Sequence, residues 1–195
     1  MMARELNVTL DEMHALAFDH MSRSVYNKRK AMHAPALSIQ GESVAPRTVI
    51  LRPFDPELRQ CLFHTDSRSQ KIVSLQQTQI GFLHAYDRRS QLQLRITGEI
   101  EWAHQTSLTR SWWQRLSQFG KQVYCTQETP GSVIAQPSES ASDVQRANAE
   151  QGYQYFSVLT FSIQQIECLL LGRGQQRRSM HQWRGGHLKQ YWLVP

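Results

Sequence analysis

Between Ala36 and Trp102 the chain carries five short strand-like segments, most joined by connections of only a few residues. This spacing constrains the fold more than any other feature, because parallel neighbours need a crossover of a dozen residues or more. Leu37 to Ile39 opens the series, followed by a turn at Gly41-Glu42. Arg47 to Phe54 is a β-branched run that Pro53 and Pro56 bring to an end. Arg59 to Thr65 comes next, after the turn residues Asp55, Pro56 and Glu57. Gln79 to Tyr86 and Leu92 to Trp102 flank the polar turn Asp87 to Ser90. With no βαβ rhythm, the pattern predicts an antiparallel barrel.

Helical periodicity frames that core. Thr9 and Glu12 have capping-box spacing, and Met13, Leu16, Ala17, Met21 and Val25 follow at helical intervals. A helix from about Thr9 to Lys28 is expected, packed on the core or on a partner subunit. Lys28, Arg29 and Lys30 near its end would complement the helix dipole. Ser67 to Gln76 predicts a short helix, and Leu108, Trp112 and Leu116 place another over Thr106 to Leu116. The Pro-, Ser- and Gly-rich stretch 129–142 reads as a loop, with a short helix over Asp143 to Gln151 capped by Ser142. Tyr155 to Ile163 and Ile166 to Leu171 read as two strands, ending at Gly172 to Gly174. Arg177 to Trp183 and Leu188 to Val194 form a closing hairpin around Arg184, Gly185 and Gly186, which ties the C-terminus into the sheet.

At 195 residues, 40% apolar and 19% charged, the chain fits one soluble globular domain spanning 1–195. No apolar run reaches the eighteen or so residues of a membrane helix, and the N-terminus lacks a signal-peptide core. Cys61, Cys125 and Cys168 are odd in number and widely spaced, which points to a reducing cytoplasm instead of a disulfide or zinc framework. The net charge of +6 suits anionic small molecules; its scattered basic residues do not form the footprint of a nucleic-acid binder. None of the eight histidines sits in an HxxxH pattern with an acidic partner, so no metal site is expected. The five tryptophans read as core and interface anchors.

The chemically suggestive stretch runs from Arg47 to Gln93. Arg47, Arg52 and Lys71 supply positive charge, while Thr65 and Ser69 supply hydroxyls. A dianionic phosphate needs both kinds of donor. The turn at Asp66-Ser67 is expected to add unpaired backbone N–H groups at the following helix start. Arg47 and Arg52 differ by an odd number, so both line one site only if the strand bends or one acts from its end. Gln93, between Leu92 and Leu94, carries an amide that both donates and accepts, as a flavin ring edge requires. Arginines at strand ends are ordinarily solvated, and Gln93 on pattern alone is an outward-facing strand residue.

The ordered motifs Arg-x-Val-x-Leu-Arg (47–52), Phe-His-Thr-Asp-x-Arg-Ser-x-Lys (63–71) and Gln-Leu-Arg-x-x-Gly (93–98) resemble the pyridoxamine 5'-phosphate oxidase-like family of FMN-binding split β-barrels. Later stretches resemble one branch of it: Trp113 to Ser117, Tyr124, Pro130-Gly131, Phe156 to Val158 and Trp192 to Pro195. The resemblance implies a mainly β, antiparallel split barrel with flanking helices, acting as a homodimer with FMN at the interface. It implies FMN contacts from Arg47, Thr48, Val49, Ile50, Leu51 and Arg52, and from His64, Thr65, Ser69, Lys71 and Gln93. Arg47 and Lys71 would hold the phosphate, and Arg177 or Arg178 would reach the flavin of the other subunit.

This chain departs from the oxidase at several positions. Gln70 stands where the oxidase has a second phosphate-binding arginine, and Arg52 replaces a lysine that touches flavin and substrate. The oxidase's Tyr, Arg and Ser substrate group has no clean counterpart between Trp112 and Lys121. Leu169 falls near the position of a tryptophan, and Gln175 and Gln176 near substrate-binding Arg and His. The implied activity is therefore an FMN-dependent oxidoreductase of undetermined substrate, with a non-catalytic flavin-binding protein as the alternative. A haem-binding split barrel is a third reading, with His64 or His187 as axial ligand.

Overall fold

The computed structural model describes residues 7–41, 46–136, 149–172 and 175–195. The capping box forms as expected: Glu12 N–H donates to Thr9 Oγ1 at 3.2 Å, and Thr9 N–H donates to Glu12 Oε2 at 2.7 Å. Helix α1 (Leu10–Tyr26) buries Met13, Ala17, His20, Met21 and Ser24 on one face. It ends before the basic cluster at 28–30, so those residues do not cap its dipole. Lys30 instead approaches the buried Asp87 carboxylate at 3.8 Å. A 3₁₀ turn at Ala31–His33 follows.

The strands are β1 (Ala36–Ile39), β2 (Arg47–Thr48), β3 (Leu51–Asp55), β4 (Gln60–Asp66), β5 (Ile80–Asp87), β6 (Leu92–His104), β7 (Phe156–Leu171), β8 (Gln176–Arg184) and β9 (His187–Leu193). They form one antiparallel sheet in the order β2-β1-β5-β6-β7-β4-β3, with β8 added to β7 and β9 to β8. The two ends of that path, β2 and β3, are consecutive in sequence and separated only by Val49 and Ile50. The sheet therefore curls until its edges meet without pairing, which is a split barrel. The expected single strand Arg47 to Phe54 is in fact two short ones that pair with different neighbours, β1 and β4.

Strand β7 is likewise one element where the sequence suggests two. The polar pair Gln164-Gln165 looks like a break, yet the structure accommodates it as an irregularity opposite Thr97 and Gly98. Gly98 is required beside that bulge. A Cβ there would lie 2.3 Å from the Ser162 carbonyl and 2.4 Å from the Phe161 ring.

The main core lies inside the barrel and under α1, with Leu37, Leu51, Phe63, Leu83, Ile96, Phe161 and Ile166 almost fully buried. Helices α2 (Gln70–Leu75), α3 (Ser107–Arg115) and α4 (Gln118–Gln122) flank it. The sequence pattern does not reveal α4; it starts where the Ser117 hydroxyl accepts from Gly120 N–H. A second cluster gathers Trp113, Tyr124, Phe156 and Val158 beneath α3. The described part of the 129–142 stretch has no helix or strand, and a 3₁₀ segment covers Ala149–Tyr155. The expected helix over Asp143 to Gln151 and the turn residue Glu42 fall largely outside the described residues. Among those residues no helix is long and apolar enough to cross a membrane.

Candidate functional site

Strand β4 ends in a turn whose polar atoms are tightly interlocked. Thr65 and Ser69, each 6% exposed, face one another with hydroxyl oxygens 3.4 Å apart. The Lys71 ammonium donates to both at 2.9 Å, and the Ser69 hydroxyl donates to the Asp66 carbonyl at 2.7 Å. Three of the five sequence-predicted phosphate ligands thus lie together. The helix carrying Lys71, α2, packs against β1, and β1 pairs with β2 through Leu37↔Arg47. Arg47 is therefore one strand away, half-buried at the sheet edge.

The turn differs from expectation in its backbone. The N–H groups of residues 67, 68 and 69 are all engaged: Ser67 with the Tyr155 carbonyl, Arg68 with Asp66 Oδ1, Ser69 with the Asp66 carbonyl. Helix α2 begins only at Gln70 and has six residues. Charge and hydroxyls, not a free helix terminus, are what this turn offers an anion.

Because β2 and β3 are separated by a bend at Val49-Ile50, strand parity does not fix the relative faces of Arg47 and Arg52. Val49 is buried and Ile50 is 37% exposed, with neither in a strand, and Leu51 then enters the core at 1% exposure. Thr48 and Arg52 are exposed. Arg52 lies close enough to His64 to disfavour its protonated form. Burial is the larger cause; together they push the imidazole down to about 3. The His64 ring packs against Trp112 at 5.5 Å and Phe156 at 5.0 Å between centroids. Both ring nitrogens are buried and without a hydrogen-bond partner. Burial thus disfavours the charged form of His64 and encloses both its nitrogens, while His187 opens β9 and is exposed.

Gln93 lies elsewhere. It pairs with Leu169 on β7, whereas Thr65 pairs with Ser157 on the same strand. Those positions are twelve residues apart, roughly 40 Å of extended chain. Gln93 shares its row with Tyr86, Leu169 and Arg178 on the outer face of the sheet. Arg178 donates there to Glu167 at 2.7 and 3.0 Å, and Arg95 joins the same carboxylate at 3.2 Å. Of the two candidate C-terminal arginines, Arg178 shares this face. Arg177 is opposite Leu170 and bonds Gln175 and the Gln176 carbonyl.

The sequence pattern gives Asp66 a place only in the turn and Arg68 none beyond the motif. The two are joined by a forked pair, with Arg68 Nε to Asp66 Oδ1 at 3.0 Å and Nη2 to Oδ2 at 2.7 Å. The signal was present as an Asp followed two residues later by a turn partner, but that spacing is common to many surface turns.

Residues 16–104 match the family model described as "Pyridoxamine 5'-phosphate oxidase, FMN-binding domain". The resemblance carried by the 47–98 motifs is thereby borne out over that segment. Solved structures agree on the fold. A pyridoxamine 5'-phosphate oxidase-related, FMN-binding protein from Nostoc punctiforme PCC 73102 superposes with a TM-score of 0.75 at 20% identity, covering 96% of this chain and 100% of that one. PhzG from Burkholderia lata 383, in complex with tetrahydrophenazine-1-carboxylic acid, gives 0.67 at 18% identity, over 95% and 90% of the two chains. A general stress protein 26-related protein from Clostridium acetobutylicum gives 0.51 at 12% identity, over 95% and 97%. A search of curated protein sequences finds no match.

Proposed function

We propose, from the FMN-binding domain matched over residues 16–104, that the protein binds FMN and gathers the flavin's phosphate at the β4 turn. The observation that carries this reading is the Lys71 ammonium held between two buried hydroxyls. Hydroxyl hydrogens rotate freely, so Thr65 and Ser69 can turn from accepting Lys71 to donating toward a phosphate oxygen. Lys71, with Arg47 on the neighbouring strand, offsets the dianion's charge. The segment Thr48, Val49, Ile50, Leu51 and Arg52 lines the gap between the barrel's edges, where the ring system would lie. His64 contributes there as a neutral, packed ring, and Arg52 as the exposed cation nearest to it.

Gln93 stands too far along the sheet to serve the same flavin from the same chain. In our reading it reaches the flavin of a second copy, with Arg178 beside it. Phe82, Tyr86 and Tyr191 lie on that outer face, 41%, 42% and 45% exposed, and would be covered in a homodimer. Bound FMN would supply hydride transfer, making the protein an FMN-dependent oxidoreductase. The chain's own part is to fix the phosphate, hold the ring and exclude water from it.

Purified protein is expected to be yellow and to release FMN on denaturation. Arg47→Ala or Lys71→Ala should each weaken FMN binding by about 1.5–3 kcal/mol, the worth of a hydrogen bond to a charged group. Unchanged affinity in both variants would remove the assignment. Mixing the oxidised holoprotein with reduced nicotinamides tests turnover, and bleaching no faster than that of free FMN would leave binding as the function.

A further inference from the structure

The pairing of Asp66 with Arg68 goes beyond what a turn needs to close. Asp66 is 8% exposed, and the Arg68 side chain 15%. The Asp66 carboxylate accepts three bonds from Arg68, from its backbone N–H at 2.8 Å, from Nε and from Nη2. The guanidinium stacks over the Tyr155 ring, 3.6 Å from its centroid. Its outer nitrogens then leave the turn altogether. Nη1 donates to the Thr126 carbonyl at 3.0 Å and to the Gln127 carbonyl at 3.3 Å, and Nη2 reaches the Thr126 hydroxyl at 3.4 Å. One side chain therefore joins three segments far apart in sequence: the end of β4, the end of the 3₁₀ segment before β7 and the loop after α4.

The same Asp66 fixes the hydroxyls. Its carbonyl accepts from both Ser69 N–H and Ser69 Oγ. The conformation of residue 66 thus sets where Ser69, and through it Lys71, can stand. A buried carboxylate is costly unless paired, so the Arg68 fork is what keeps Asp66 inside the turn.

We infer that Arg68 is a positioning residue for phosphate binding: clamped by Asp66, Tyr155 and the 126–127 carbonyls, it sets the hydroxyl–ammonium triangle in the geometry an anion needs. This rests on the phosphate reading of the β4 turn. The guanidinium of Arg68 is engaged within the protein by Asp66, Thr126 and Gln127. It acts through Ser69 and Lys71. Planarity matters: a lysine at 68 keeps the charge but cannot make the fork, the stack and the two carbonyl bonds together.

The test compares equilibrium affinity for FMN with that for riboflavin, which lacks the phosphate, in the full-length protein. Arg68→Lys and Tyr155→Leu should each lower FMN affinity about tenfold, the size of one lost charge-assisted bond, and change riboflavin affinity by less than about twofold. Tyr155→Leu removes only the stack, and so reports on the clamp even if Arg68→Lys folds poorly. Equal losses for both ligands mean general loosening and would overturn the inference. So would wild-type behaviour in both variants while Lys71→Ala loses FMN selectively. A ratio that Lys71→Ala itself leaves unmoved would overturn the phosphate reading, and the clamp with it.

Discussion

Two buried polar clusters in this barrel are built on opposite plans. In the β4 turn, Thr65, Ser69, Lys71 and the Asp66–Arg68 pair satisfy one another at 2.7–3.4 Å. Between α1 and β8, His14 and His181 stand with ring centroids 5.5 Å apart among Phe18 and Trp183. There, His14 Nε2 and His181 Nδ1 are buried without a partner, although Ser179 Oγ lies 2.8 Å from His181 Nε2. The first cluster is polar because it is bonded, the second because aromatic packing outweighs two orphaned nitrogens. The difference teaches where each is vulnerable. A bonded, charged turn is sensitive to substitution and salt, whereas a neutral imidazole pair is sensitive to protons.

The largest effect should therefore come from acid. Burial pushes His181 down to about 4, and the neighbouring His14 works the same way while Asp11 opposes it. His14 and His20 are also lowered, mainly by burial. The unfolded chain takes up these protons as pH falls through about 6.5, while the folded one resists until His181 titrates. Stability is then fully present above pH 6.5 and is lost progressively down to about pH 4. For His181 alone the loss is at most about 3 kcal/mol. Denaturant midpoints measured from pH 8 to 4 should fall in the wild type and flatten in His181→Gln, and equal slopes in the two would erase the contrast.

The turn should respond to the converse treatments. Raising salt should weaken FMN binding while hardly moving the stability of the ligand-free protein, since the screened charges serve the ligand. Ser69→Ala should lower FMN affinity by about 1 kcal/mol, the net worth of one neutral hydrogen bond. A salt-independent affinity would place the phosphate elsewhere.

These two clusters also mark what a sequence can and cannot disclose. Local chemistry was legible: the Thr9–Glu12 cap, the antiparallel rhythm from Ala36 onward, and Thr65, Ser69 and Lys71 as neighbours. Their spacing alone brings such residues into one turn. Features set by tertiary pairing were not. The bend at Val49-Ile50 exists because β2 and β3 find different partners, and Gln164-Gln165 stays inside β7 because Gly98 makes room opposite. The register that sets Gln93 twelve residues along β7 from the partner of Thr65 is likewise invisible in a linear string. Arg68 belonged to a recognised motif, yet its bonds reach residues 58 and 59 positions away.

The smallest expected effect separates the helix from the site. Thr9 caps α1, the helix that carries His14, and lies on an exposed turn. Removing an N-cap hydroxyl typically costs about 1 kcal/mol. Thr9→Ala should lower stability by that amount at neutral pH and leave FMN affinity at the wild-type value, because α1 contacts none of the phosphate-turn side chains through a described hydrogen bond. The acid-induced loss should keep its size, since the cap does not touch the His14–His181 contact. A Thr9→Ala variant whose pH dependence steepens would show that fraying the start of α1 opens the histidine cluster to water, and that the cap and the His14–His181 contact are energetically one unit.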